Sequence, residues 1–426
     1  MKKRFFRLTS INVLSNLMVP LAGLIDTAFL GHLEEIRYLA GVALATVLFN
    51  YIYWTFGFLR MGITGTTAQA RGRGDTQEVD LILLRYGVVA LAIGISILLL
   101  QHPLREIGFW LLQADPEVLD AGRDYYNTLI WGAPATLLNF TILGWFLGRE
   151  EGNKVLLLSV VDKFANVALN YLFIVRLGWA SYGAGMATAM SQYLSLLVGF
   201  ILVARLLNTV LLTDIYRKIL NSSALTAIFT LNRDITIRTL ALVSTFALFT
   251  NLSAAISTEV LVTNTLILQV ITVAAYFIDG IAFATESIVG ELLGQKNYAD
   301  IRRLLQLGRL ISITIGVTIA LVFCLFPQPL FSILSDRTDV IASITNYVWW
   351  LLPILTAGAV AYLLDGYFLG LTAGKILRNS TLIAAVGCFL PLAILAHAMQ
   401  SSHLLWLALT SFMAARAITL SLKVKT

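Results

Sequence analysis

Apolar residues in this chain come in long runs, and polar residues collect in short gaps between them. Twelve runs approach the roughly 20 residues that a membrane-crossing helix needs. They are 8–30, 38–60, 79–101, 120–147, 154–175, 181–205, 236–257, 260–289, 303–326, 340–369, 376–396 and 402–421. The pattern predicts an all-α polytopic membrane protein with 12 transmembrane helices. The longest polar stretch, 207–235, holds Asp214, Arg217, Lys218, Asn221, Ser222, Ser223, Asn232, Arg233 and Asp234. It reads as a cytoplasmic linker between two six-helix lobes, an N-lobe over 1–206 and a C-lobe over 236–426.

The two lobes look like copies of one unit, a possibility to test before any local assignment. Positions 222 residues apart match: Gly72 with Gly294, Tyr125 with Tyr347, Thr188 with Thr410. Gly144, Phe146 and Gly148 recur at the same offset as Gly366, Phe368 and Gly370. Duplicated membrane-helix units are the usual architecture of secondary transporters. Six is an even number, so both copies insert the same way up, related by a pseudo-two-fold axis along the membrane normal. A central cleft between the lobes is the expected substrate site.

Composition agrees. Of the 426 residues 58% are hydrophobic and 13% charged, whereas a soluble domain carries about 25% charged residues. The net charge of +6 therefore speaks to topology and not to nucleic-acid binding. With the N-terminus inside, inner segments hold 22 of the 30 Lys and Arg residues and outer loops hold five; Arg60, Arg85 and Lys163 fall within spans. Cytoplasmic loops carry such an excess, so both termini are expected in the cytoplasm and the chain in the inner or plasma membrane. The basic start, MKKRFFRLTS, leads into a retained first span. Cys324 and Cys388 lie in apolar runs without disulfide or metal spacing. His32, His102, His397 and His403 are scattered near loops. No Walker, zinc or nucleophile–base pattern is found, so neither an enzyme nor a cofactor is expected.

Ionisable residues inside spans are costly, by at least a few kcal/mol, and are functional candidates by default. Asp26 lies well inside the first run. A carboxyl group in low dielectric can load and release protons near neutral pH. Pro20 and Gly23, within two turns upstream, allow that helix to bend. The repeat mate of Asp26 is Leu248, so the acid does not serve the shared scaffold. Asn166 and Asn170 are spaced i, i+4 on one helix face, with Asp162 one turn earlier. Thr188 follows the small residues Gly183 and Gly185, which permit close helix contact. These groups either set the proton affinity of Asp26 or act as interhelical glue. In the second half Asp279, Glu286 and Asp365 are candidates for binding a cation. Alternatively Glu286 and Glu291 pair with loop arginines such as Arg302 or Arg303. Arg60 and Arg85 read as neutralising or snorkelling side chains.

Several stretches together resemble the multidrug and toxic compound extrusion (MATE) family, and within it the subgroup named after DNA-damage-inducible protein F. They are Val19-Pro20 through Leu33 with Asp26 at its centre, Ala68-Gln69-Ala70-Arg71-Gly72-Arg73-Gly74-Asp75, Asn232-Arg233-Asp234 through Thr239, Asp279-Gly280 through Gly290, and Asp365-Gly366 with Gly370. The resemblance implies a twelve-helix antiporter that exports small amphipathic, often cationic compounds on protons or sodium. It maps a proton site onto Asp26 and a polar cluster onto Asn166, Asn170 and Thr188. Two departures stand out: Ile11 where the family commonly has proline, and Asn170 where related members often carry aspartate. The expected function is a monomeric, proton-coupled exporter in a lipid bilayer. Its rivals are a sodium-coupled exporter using the C-lobe acids and a lipid-linked precursor flippase.

Overall fold

The structure is a computed structural model that describes residues 1–31, 33, 35–112, 114–207, 218–219, 221–333 and 338–424. Among these, twelve helices are long and apolar enough to cross a membrane. Spans 1 to 6 are Lys2–Gly31, Arg37–Gly72, Thr76–Leu99, Pro116–Gly148, Gly152–Arg176 and Ala180–Ala204. Spans 7 to 12 are Ser222–Ile256, Thr258–Gly294, Tyr298–Leu325, Val340–Gly370, Gly374–Ala398 and Ser402–Ser421. The predicted number and order therefore hold, and the fold is all-α among the described residues.

The spans are longer than their apolar runs and carry breaks that hydropathy does not show. Span 2 changes helix at Phe56–Gly57. Span 4 contains a 3₁₀ turn at Ile130–Gly132, just before Pro134. Spans 5 and 11 hold π-helical turns at Tyr171–Arg176 and Ile383–Phe389. The polar segment 207–235 is helical from Ser222 onward. Its buried Asp234 accepts a hydrogen bond from Arg378 at 2.7 Å, which lets polar turns extend span 7. Residues 208–217 and 220 of that segment, and His32, lie outside the described residues.

Contacts divide the chain into Leu14–Phe229 and a second unit of Met1–Val13 with Thr230–Thr426. The first thirteen residues thus group with the C-terminal unit, because Val13 packs on Gly280 and Arg4 pairs with Glu291. Each unit has its own apolar core. One is built around Tyr86, Tyr126 and Trp145, the other around Phe249, Trp406 and Phe412.

The duplication is written into the backbone. Left-handed residues recur at the 222-residue offset: Gly74 and Lys296 (φ 76° and 59°), Glu150 and Thr372 (59° and 53°), Gly178 and Gln400 (68° and 50°). Among the described residues five non-glycine residues have positive φ, four of them in these pairs, and such residues are uncommon. Span 2 ends with the Asp75 amide bonding to the Ala70 carbonyl, and span 8 repeats this with Asn297 and Leu292. Asp75 and Asn297 then cap the next spans by accepting from the amides of Glu78 and Asp300. Such caps satisfy terminal amides that a helix cannot bond internally.

The recurring glycines have one purpose. A Cβ on Gly144 would lie 2.5 Å from the Arg60 carbonyl oxygen, and one on Gly148 would lie 2.6 Å from that of Thr64. In the other unit a Cβ on Gly366 would lie 2.2 Å from the carbonyl oxygen of Ala282, and one on Gly370 2.5 Å from that of Glu286. Ala282 and Glu286 are the repeat mates of Arg60 and Thr64. Small residues let membrane helices approach backbone to backbone, so these pairs seat span 4 on span 2 and span 10 on span 8.

Candidate functional site

Span 1 is helical without interruption from Lys2 to Gly31, through Pro20. Its parallel neighbour is span 5, in register over three turns. Ser15 Oγ lies 2.6 Å from Ser159 Oγ, and Asp26 meets Asn170, both pairs 144 residues apart. Gly185 brings span 6 in: a Cβ there would sit 2.5 Å from the Tyr125 carbonyl oxygen. That contact seats span 6 on span 4, and Thr188, nearly one turn on, meets Asn166 of span 5.

These contacts join the predicted residues into one network. Asn170 Nδ2 donates to Asp26 Oδ1 at 2.6 Å and to Asn166 Oδ1 at 3.2 Å. Asn166 Nδ2 donates to Thr188 Oγ1 at 3.0 Å, and the Thr188 hydroxyl donates to the Ala184 carbonyl at 3.0 Å. Asn166 and Asn170 are buried, and Asp26 is half-buried. Asp162 is one turn away with other partners: Lys163 at 2.8 Å and the Ser191 hydroxyl at 2.9 Å. The Tyr125 hydroxyl lies beside those of Thr46 and Thr188. The site is thus one acid, two amides and hydroxyls, flanked by a neutralised Asp162–Lys163 pair. Ser191 and Tyr125 were not anticipated. Ser191 is one turn beyond Thr188, a spacing that would have found it, whereas Tyr125 is obscured by its repeat mate Tyr347.

Among the second-half acids Asp365 has a different setting. Asp365 is buried, and its Oδ2 accepts from Arg416 at 2.6 Å and also from Arg238. An acid paired with two guanidinium groups already holds its counter-charge, which argues against its reading as a cation ligand. Glu286 is buried and Asp279 half-buried. Among the described residues no group of three or more acids, His or Cys is placed to hold a metal ion. Glu291 pairs with Arg4, not with Arg302 or Arg303, and Arg303 instead pairs with Asp300 at 3.5 Å. Arg85 is neutralised as expected, by Glu78 at 2.6 Å, and also donates to the Lys218 carbonyl. Arg238 and Arg416, two of the 22 basic residues expected in inner segments, are buried in spans 7 and 12. Their place within apolar runs was the available signal.

The profile of the MatE family matches residues 12–172 and 234–395. The chain belongs to the MatE family. Among its relatives is DNA damage-inducible protein F of Escherichia coli (strain K12), 31% identical over 98% of this chain and 91% of that protein. Multidrug resistance protein NorM of Aliivibrio fischeri is 22% identical over 79% of this chain and 74% of its own. In fold the chain is similar to a MATE transporter solved in an outward-facing conformation, with a TM-score of 0.89 at 18% identity, covering 100% of this chain and 97% of that one. A MOP superfamily transporter from Pyrococcus furiosus gives the same TM-score at 19% identity, over 99% and 94%. MatE proteins are transporters and not enzymes, and this one is a multi-pass membrane protein. Its duplicated scaffold carries the polar cluster on one side only. The mates of Asp26, Asn166 and Asn170 are Leu248, Cys388 and Leu392.

Proposed function

We propose that this MatE transporter exports amphipathic, often cationic compounds in exchange for protons bound at Asp26. The observation that carries the reading is the Asp26–Asn170–Asn166–Thr188 network, an acid inside a span joined to amides and hydroxyls. Ionised Asp26 attracts a cation; protonation removes that attraction and releases it. Exchange requires different affinities when the site opens to opposite sides of the membrane. Each elementary charge moved across 100 mV contributes about 2.3 kcal/mol. The excess of Lys and Arg in the inner segments supports cytoplasmic termini in an inner or plasma membrane. The relatives named as multidrug resistance proteins support a drug-like substrate.

Sodium coupling at the C-terminal acids is disfavoured by the Arg238–Asp365–Arg416 clamp. A lipid-linked flippase needs cations directed at substrate, and the two added by the structure, Arg238 and Arg416, are both bound to Asp365.

The test is efflux of a fluorescent cationic dye from proteoliposomes under an imposed pH gradient. Wild type should follow the gradient and Asp26→Asn should not. Dye movement that persists in Asp26→Asn and follows sodium would refute the proposal.

A further inference from the structure

Both hydrogens of the Asn170 amide are committed, but its oxygen is not. Asn170 Nδ2 serves Asp26 and Asn166 together, and Asn166 Oδ1 is satisfied by Asn170. Asn170 Oδ1 is buried with no hydrogen-bond partner, in a residue 1% exposed. Buried acceptors are almost always satisfied, and an exception calls for an explanation. The orphan belongs to the same amide that already grips Asp26.

We propose that Asn170 is the positioning residue for protonated Asp26, its carbonyl accepting the acid proton while its amide keeps donating to the acid carbonyl. This rests on the proton-coupling reading above. A carboxylate has no hydrogen to give, so in the ionised state only one bond joins the two side chains. A carboxylic acid is complementary to a primary amide: O–H to C=O in one direction, N–H to C=O in the other. In the step itself Asp26 Oδ2 takes a proton from water and no covalent bond breaks at Asn170. One O–H···O hydrogen bond forms, and the reverse step returns the proton to water.

The surroundings suit this assignment. Span 5 directs Asp162 and Lys163 toward the acid, and these two pair with each other at 2.8 Å. Span 4 contributes Tyr125, and span 6 the neutral hydroxyls of Thr188 and Ser191. An aspartate at position 170 would add a second titrating group; an amide keeps the exchange to one proton on Asp26. Protonation then adds a bond between spans 1 and 5 where a simple salt-bridge switch would lose one. It also uses up the oxygen that a cationic substrate would seek.

Infrared difference spectra of the full chain in liposomes, acid minus alkaline, test this with carbonyl-labelled asparagine. Wild type should gain a carboxylic-acid band that Asp26→Asn lacks. A labelled amide band should shift to lower frequency with it, again absent in Asp26→Asn. Both readings come from the chain without any change at position 170. In Asn170→Ser the Asp26 acid band should move to higher frequency and the labelled amide shift should vanish. If the acid band of Asp26 never appears, the proton-coupling reading fails. If it appears while the labelled amide bands stay fixed, the role of Asn170 is overturned and proton coupling at Asp26 stands.

Discussion

Replacing Asp365 with asparagine should damage the C-terminal unit far more than removing either arginine bound to it. The triad places two cations on one carboxylate: Arg416 is fully buried, and the side chains of Arg238 and Asp365 are 7% and 6% exposed. At an effective dielectric of about 20, unit charges 4 Å apart interact by about 4 kcal/mol. Two such attractions amount to about 8 kcal/mol, opposed by about 3 kcal/mol of repulsion between two guanidinium groups that share the Oδ2 oxygen and so lie about 6 Å apart. Asp365→Asn removes both attractions and keeps the repulsion. Arg416→Met removes one attraction together with the repulsion, a net loss of about 1 kcal/mol, and leaves a one-to-one pair.

Solvation offsets part of each figure. Breaking a buried pair from one side typically costs about 3–5 kcal/mol, and Asp365→Asn belongs in that range. At about 2–4 °C per kcal/mol for a unit of this size, its melting temperature should fall by about 6–20 °C. The double variant Asp365→Asn with Arg416→Met should recover part of the loss, because the buried like charges no longer face each other. The assay is the thermal midpoint for loss of the monodisperse peak in detergent, for wild type, both single variants and the double. An Asp365→Asn protein as stable as Arg416→Met would refute the clamp, as would a double variant worse than Asp365→Asn alone.

Other outcomes follow from the same geometry. Replacing potassium with sodium should leave the wild-type thermal midpoint unchanged, since Asp365 already holds its counter-charges; a sodium-dependent rise would reopen the second-half acids as an ion site. Gly366→Ala should lose at least about 1–3 kcal/mol, the usual range for overpacking, because its Cβ would lie 2.2 Å from the Ala282 carbonyl oxygen; unchanged thermal stability would count against the close approach of spans 8 and 10. Gly23→Ala meets nothing within 4 Å and should be neutral or gain up to about 1 kcal/mol of helix stability, while slower dye efflux in that variant would tie transport to bending of span 1. Glu151, in the turn between spans 4 and 5, is pushed upward by burial, but Lys154 and Arg149 hold it below its ordinary 4.5. Its contribution is therefore present above that value and lost as pH falls through the lower folded value. Hydrogen exchange of the turn should quicken on strong acidification in wild type, and much less so in Glu151→Gln.

The spans were legible because a bilayer demands long apolar runs whatever their tertiary partners, and hydropathy registers that demand directly. The polar cluster was legible because Asn166 and Asn170 share a helix face and their repeat mates are apolar. Three features were hidden for specific reasons. Arg4 and Glu291 are 287 residues apart, and no local spacing announces such a pair. Arg238 and Arg416 lie near the ends of their apolar runs, where a charge reads equally well as a loop residue or a buried one. The breaks at Phe56–Gly57 and Ile130–Gly132 change helix geometry without changing hydropathy.

The duplication separates scaffold from chemistry in a way that a single copy could not. Left-handed turns, caps and backbone-contact glycines recur at a fixed offset in both units, so they answer to folding alone. Lys296 and Thr372 even hold left-handed conformations that glycine would adopt more easily. This shows that the turn geometry persists without its preferred residue. Charged groups follow the opposite rule. Asp26 faces an apolar mate, Leu248, and the Arg238–Asp365–Arg416 triad has no counterpart at Asn16, Leu143 and Leu194. A titratable acid within a span is costly, and a fold that is complete without it in one copy does not need it in the other. Under the proposed proton coupling, the acid left half-buried with an amide partner is the one that serves transport, and the acid locked between two arginines is the one that serves the scaffold.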